Sequence, residues 1–173
     1  MSSSGLSIEG IKIFVFDFDG VLTDNLVYLD QNEVESVSCS RADGLAFDIL
    51  RKLNKSVYIL STEKNNVVSA RARKLGVPVI QSIKNKEDAL RDLVSREGYQ
   101  LENVLYVGND LNDYNAMMIS GYSVCPADSH LRIKSISDFV LNTNGGKGVV
   151  RELLEDMLNI DFIEVLYKEK ESK

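Results

Sequence analysis

The sequence predicts an α/β fold built on a doubly wound parallel sheet, with a β-hairpin flap. Three observations predict it. Short apolar runs rich in β-branched and aromatic residues alternate with stretches of helical periodicity along the chain. An acidic string containing a glycine follows directly on the first apolar run, at the strand end where ligands gather in open α/β sheets. In the one place where the alternation breaks, two short extended runs flank a polar turn.

Taken in chain order, residues 11–16 (Ile-Lys-Ile-Phe-Val-Phe) read as the first buried strand. Residues 26–29 and 34–38 flank Asp30-Gln-Asn-Glu33 and read as a hairpin that projects after that strand. Leu45, Ile49, Leu50 and Leu53 recur at helical spacing. Residues 57–60 form the next strand, and Val68, Ala72 and Leu75 the buried stripe of a helix from about 64 to 75. A strand at 77–80 precedes a helix marked by Leu90, Leu93 and Val94 and closed before Gly98. Strands follow at 104–107, 122–124 and 139–141, and Val149, Val150, Leu153, Leu154, Met157 and Leu158 form the clearest helical stripe. This order predicts a Rossmann-like sheet with right-handed crossovers.

A chain of 173 residues suits a single domain spanning 1–173, with a core over about 10–158 and loose ends at residues 1–10 and in the charged tail 168–173. The net charge of −6 argues against a nucleic-acid partner, which calls for a basic field, but leaves room for a small anionic substrate. Cys39 and Cys125 are too few for a disulfide framework and read as small, half-buried residues in a reducing compartment. The polar start Met-Ser-Ser-Ser-Gly does not resemble a signal peptide, and no apolar run nears the ~20 residues that span a bilayer. The expectation is a cytoplasmic protein with no membrane partner.

The first strand runs into Asp17-Phe-Asp-Gly-Val-Leu-Thr-Asp24. Strand alternation puts Asp17 and Asp19 on one side if extension continues to Asp19, and two close carboxylates raise a pKa or recruit a metal. Gly20 lets the chain turn away. This string resembles the first motif of the haloacid-dehalogenase-like phosphatases. Their remaining motifs have counterparts in order at later strand ends. Ser61-Thr62 matches the hydroxyl motif, with Ser61 in the catalytic position, Lys86 the charge-neutralising lysine, and Gly108-Asn-Asp-Leu-Asn-Asp113 the acidic magnesium motif.

The resemblance implies a nucleophilic Asp17, an acid–base role for Asp19, and Mg2+ held by Asp17, Asp19 through its backbone carbonyl, and the set Asn109, Asp110 and Asp113. The chain departs from the family at Asn109, where many relatives carry Asp; Asn109 ligates neutrally, or Asp110 itself reaches the ion. His130, the only histidine, reads as a surface or capping residue rather than a nucleophile.

The intervals after Asp24 and after Val107 are too short for a cap domain. Capless relatives acting on 3-deoxy-octulosonate 8-phosphate or nine-carbon ulosonate 9-phosphates form tetramers through their hairpins, so the resemblance implies a homotetramer. Gly145-Gly-Lys-Gly148 resembles their glycine-rich C-terminal segment. Octulosonate phosphatases typically follow the motif-two hydroxyl with Gly-Arg; here Thr62 and Glu63 stand next to it, and Glu63, Arg71 and Lys74 match in spacing a substrate-binding trio of the nonulosonate phosphatases. That favours a 2-keto-3-deoxynononate or N-acetylneuraminate 9-phosphate as substrate. The alternatives are the eight-carbon 8-phosphate and a non-catalytic tetramerisation module of the kind fused to acylneuraminate cytidylyltransferases. Phosphoryl transfer between sugars, as in mutases, calls for a cap that is missing here.

Overall fold

The computed structural model describes residues 6–167. Its centre is a six-stranded sheet, paired parallel throughout, made of β1 (Ile13–Phe16), β4 (Ser56–Leu60), β5 (Val79–Ile80), β6 (Val104–Val107), β7 (Tyr122–Cys125) and β8 (Phe139–Val140). The spatial order is β5-β4-β1-β6-β7-β8. The chain therefore builds outward from β1 in one direction, then returns to build outward in the other, and a crevice opens beside β1 where the direction reverses. β2 (Tyr28–Leu29) and β3 (Glu35–Ser36) form a separate antiparallel pair, shorter than the expected hairpin arms.

Alternation along β1 explains why helices cover both faces. Phe14 and Phe16 point into one apolar layer with α1 (Arg41–Lys52), α2 (Val67–Leu75), α6 (Val149–Glu152) and α7 (Phe162–Tyr167). Ile13 and Val15 point into the other with α3 (Lys86–Glu97), α4 (Tyr114–Ile119) and α5 (Leu131–Lys134). A strand buried on both faces has no polar side to expose, which is why these runs read as continuous hydrophobic strings.

Several boundaries differ from expectation. The helix expected from about 64 starts at Val67, because Glu63 and Asn65 side chains occupy the preceding backbone N–H groups as a turn. The long stripe at 149–158 is α6 continued by a π-helical turn at Leu153–Met157. α4, α5 and α7 were not expected; they run only six, four and six residues, too short to show a period. Residues 6–10, expected as part of a loose end, form a turn whose Leu6 and Ile8 pack on the core, with the Lys55 ammonium donating to the Ile8 and Ile11 carbonyls. Phe162 carries the packed region beyond 158. The expected loose ends at 1–5 and 168–173 lie outside the described residues. Between β1 and β4 the chain holds only the hairpin and α1. Among the described residues, no helix is long and apolar enough to cross a membrane.

Candidate active site

The hydrogen bonding of β1 continues one residue past its end, since the Asp17 N–H donates to the Val107 carbonyl of β6 at 2.9 Å. This fixes Asp17 at the carboxyl edge of the sheet, 4% exposed, beside the crevice. Its Oδ1 accepts from the Phe18 N–H at 2.7 Å and pairs with Lys86 Nζ at 2.6 Å. Lys86 opens α3, and Asn85 caps that helix by accepting from the Glu87 and Asp88 N–H groups. The cap sets where the helix begins, and so where the buried ammonium lies.

Lys86 Nζ also pairs with Asp113 Oδ1 at 2.7 Å. The Tyr106 hydroxyl donates to the same oxygen at 2.9 Å, while the Asn109 and Asp110 N–H groups donate to Oδ2 at 3.0 and 3.3 Å. Asp113 is wholly buried and both its oxygens are engaged. The expectation that Asp113 ligates a metal is corrected on that ground: it lies behind Lys86 and orients it.

Burial, then the Asp113 charge, push the Asp17 carboxyl up to about 8, against the pull of Lys86 and the Phe18 N–H. Burial alone depresses the Lys86 ammonium, but Asp17 and Asp113 outweigh it and its pKa is raised. Asp19, half-buried at the rim, is also raised, first by burial and then by Glu63, with Glu35 adding and Lys86 and the Thr23 hydroxyl opposing. A carboxyl so placed holds a proton more readily, as a general acid must.

The buried cluster sets two carboxylates against one ammonium, which leaves a place for a further positive charge. One end of the Asn109 amide stands 3.2 Å from Asp17 Oδ2 and 2.8 Å from the Asp19 carbonyl oxygen, and either its oxygen or its N–H2 can be the atom turned there. With the oxygen turned there, three oxygens converge at the spacing they keep around magnesium, about 3 Å apart given Mg–O lengths near 2.1 Å. Turned over, the amide N–H2 would donate to both oxygens. The donor set thus fits a hard divalent cation. Among the described residues no three His, Cys, Asp or Glu side chains converge, so such a site depends on the Asn109 amide and a backbone carbonyl. Gly20 (φ 81°) is required here, because a Cβ would lie 1.9 Å from the Asn109 amide nitrogen.

A cleft of about 360 Å3 opens over this cluster, lined by Asp17, Asp19, Asn25, Thr62, Asn109, Asp110, Leu111 and Asn112. Asp110 is exposed there, its Oδ1 accepting from the Leu111 N–H. Ser61 is buried at the end of β4, its Oγ accepting from the Glu63 N–H. The structure brings together Asp17, Asp19, Thr62, Asn109 and Asp110 at the cleft with Lys86 paired to Asp17, leaves Ser61 buried next to Thr62, and places Glu63 close enough to Asp19 to shift its titration.

It does not bring Arg71 and Lys74 to this cleft. Both line a separate groove of about 780 Å3 between α1 and α2, together with Arg41, Arg51 and Arg73. Arg71 donates to the Ser40 carbonyl, and Glu63 Oε1 is taken by the Lys64 and Asn65 N–H groups, so the trio is not assembled within one chain. His130 caps α5, its Nδ1 accepting from the Arg132 N–H, as expected.

Sequence reasoning missed Tyr106, Asn65 and Glu35. Tyr106 is the one polar-tipped residue of β6, a signal in itself, since a buried hydroxyl needs a partner. Asn65 Nδ2 donates to Glu35 Oε2 at 2.9 Å and ties the hairpin to the loop after β4, a contact no local pattern announces.

A family model described as haloacid dehalogenase-like hydrolase matches residues 23–153. The chain is 36% identical over 151 residues to the 3-deoxy-D-manno-octulosonate 8-phosphate phosphatase of Salmonella typhi, covering 87% of this chain and 80% of that protein. Among solved structures, it resembles an HAD family hydrolase from Streptomyces avermitilis MA-4680 at TM-score 0.88 and 40% identity, over 92% of this chain and 91% of the other. It also resembles the Moraxella catarrhalis 3-deoxy-D-manno-octulosonate 8-phosphate phosphatase, solved with magnesium, phosphate and KDO, at TM-score 0.84 and 29% identity over 88% of both chains. The cobalt-bound deoxy-D-mannose-octulosonate 8-phosphate phosphatase of Haemophilus influenzae matches at TM-score 0.83 and 33% identity, over 88% and 90%.

Proposed function

We propose that this chain, which belongs to the haloacid dehalogenase-like hydrolases and is a phosphatase of their capless kind, removes the terminal phosphate of a ulosonate sugar acid with the help of magnesium. The observation that carries this reading is the buried Asp17–Lys86–Asp113 row at the floor of a cleft lined by Asp17, Asp19 and Asn109.

In the proposed reaction an Asp17 carboxylate oxygen bonds to phosphorus as the bond from phosphorus to the sugar oxygen breaks, and Asp19 gives that oxygen its proton. Asp19 then takes a proton from water, whose oxygen attacks the aspartyl-phosphate and releases phosphate, restoring Asp17. Lys86 holds Asp17 in line and offsets negative charge, and Ser61 and Thr62 offer hydroxyl donors. Magnesium, held by Asp17, the Asp19 carbonyl and Asn109, with Asp110 at the rim, would supply further positive charge against the phosphoryl oxygens.

The eight-carbon 8-phosphate is supported by the names of the relatives above. The nine-carbon 9-phosphate is favoured by Thr62-Glu63 in place of Gly-Arg, with Glu63 near enough to Asp19 to raise its carboxyl further. On this second reading Arg71 and Lys74 act from the groove, in company with another subunit of a homotetramer joined through the hairpins. We place the protein in the cytoplasm, with no nucleic-acid or membrane partner. The test is phosphate release with magnesium from both sugar-acid phosphates. Turnover of one at least 10-fold faster in kcat/KM assigns the substrate; a folded, metal-loaded protein that releases phosphate from neither would overturn the enzyme reading in favour of an assembly module.

A further inference from the structure

The segment from Asn142 to Glu152 is held by three carboxylates from three parts of the chain. Glu152 accepts from the Asn142 and Thr143 N–H groups, Asp128 from the Gly145 N–H, and Asp43 from the Val150 and Arg151 N–H groups at 2.8 and 3.2 Å. The last pair matters because a helix start leaves its first N–H groups without partners, and Gly148, which precedes α6, has no side chain to cap them. Asp43, buried in the first turn of α1, caps α6 from a distant element.

Held in this way, the segment presses its backbone against residues 20–24, the turn that follows Asp19. The Gly146 N–H donates to the Val21 carbonyl at 2.9 Å. A Cβ on Gly145 would lie 2.2 Å from the Gly20 carbonyl oxygen, and one on Gly146 would lie 2.5 Å from Asp24 N and the Thr23 carbonyl carbon. These neighbours are main chain and have no side-chain torsion with which to yield. On the other flank, Thr23 forms a β-bridge with Cys39, just before α1. Inside the turn, Thr23 Oγ1 accepts from the Gly20 and Asn25 N–H groups, and so holds the backbone that leaves Asp19.

We infer that Gly145 and Gly146 brace the catalytic turn and that Asp43 is the positioning residue that fixes the brace, so that Asp19 keeps its reach to the leaving oxygen. The proposal rests on the phosphatase reading above for its effect on rate, but not for its effect on the turn itself. Asp43 touches no reacting atom. It acts through α6, Gly146 and Thr23.

The test compares wild type with Asp43→Ala, Gly145→Ala and the control Gly98→Ala, which sits at a left-handed position with nothing within 4 Å of its Cβ. Amide hydrogen exchange is read across residues 20–25, and turnover is read on a sugar-acid phosphate and on 4-nitrophenyl phosphate. The aryl ester has a good leaving group and little need of a general acid, so a displaced Asp19 costs the sugar ester about 10- to 100-fold in kcat and the aryl ester several-fold less. Exchange at 20–25 quickens in both brace variants and stays at the wild-type rate in Gly98→Ala. Asp43→Asn, which keeps the acceptor, recovers most of both losses and serves alone with Asp43→Ala if Gly145→Ala does not fold. Unchanged exchange at 20–25 overturns the proposal whether or not any ester is turned over, and an equal loss on both esters overturns the link to Asp19.

Discussion

Lys86 stands between Asp17 and Asp113 with its ammonium at hydrogen-bond distance from both, and the two carboxylates do different work. Asp17 reaches the cleft, whereas Asp113 is wholly buried and spends its oxygens on Lys86, Tyr106 and two backbone N–H groups. A group that orients a cation through a hydrogen bond affects rate more than metal affinity; a group whose oxygen faces the metal cage affects affinity first. Asp113→Asn is therefore expected to lower kcat about 10- to 100-fold while shifting the magnesium Kd less than about threefold. Asn109→Ala is expected to raise that Kd about 10- to 100-fold. Calorimetric titration of magnesium beside steady-state kinetics separates the two, and an Asp113 variant that loses metal as strongly as the Asn109 variant would restore Asp113 as a ligand. The sequence showed where these residues lie, because Asp17, Asp19, Ser61, Lys86 and Asn109 each follow a strand end in a fixed order. It did not show which way Asp113 faces, since that depends on Lys86, 27 residues away in sequence, arriving between it and Asp17.

At the scale of elements, the joint between α1 and α6 is the feature least legible in the sequence. β1 and β6 could be read almost to the residue because strands buried on both faces are apolar without a break. Asp43 reads as an ordinary acidic residue in a first helical turn, and only the folded chain reveals that it caps a helix more than a hundred residues on. Its surroundings are the α6 N-terminus, Arg71 from α2, and Cys39 before its own helix. Burial raises its carboxyl to about 6, with the Arg151 and Val150 N–H groups and Arg71 opposing. The folded pKa is above the unfolded one, so this group's contribution to stability is complete below about pH 4 and is lost as pH rises through about 6. Asp43→Asn cannot ionise and keeps the acceptor. The difference in unfolding free energy, variant minus wild type, should therefore move in the variant's favour by on the order of 2 kcal/mol between pH 4 and pH 7. Denaturant melts at both pH values measure it, and a difference that does not change with pH contradicts a buried, raised Asp43.

For the whole molecule, the two unusual surfaces are the apolar hairpin and the basic groove. Leu26, Val27, Tyr28, Leu29 and Val34 are each more than half exposed, and they lie together on a two-stranded arm beside the cleft. An isolated exposed leucine needs no explanation, but a contiguous group of this kind marks an interaction surface. Two strands are also too few to be stable alone, so the arm gains by packing against something. In a chain of net charge −6, the five cations of the α1–α2 groove stand out in the same way, since only Asp48 among the groove's lining offsets them. If hairpins join copies, one chain's groove and hairpin become available to another chain's cleft, which by itself holds only about 360 Å3. The solution mass is then that of four chains, and Leu29→Asp, which places a charge on the arm without touching the core, lowers it. The same variant should keep its rate on 4-nitrophenyl phosphate, whose turnover needs only the Asp17 cluster, while its KM for a sugar-acid phosphate rises about 10-fold or more, the scale of one lost charged contact. Sedimentation at enzyme-assay concentration reads the mass. A single-chain mass in the wild type, or a dissociated variant with unchanged KM for the sugar acid, would show that the cleft selects its substrate within one subunit.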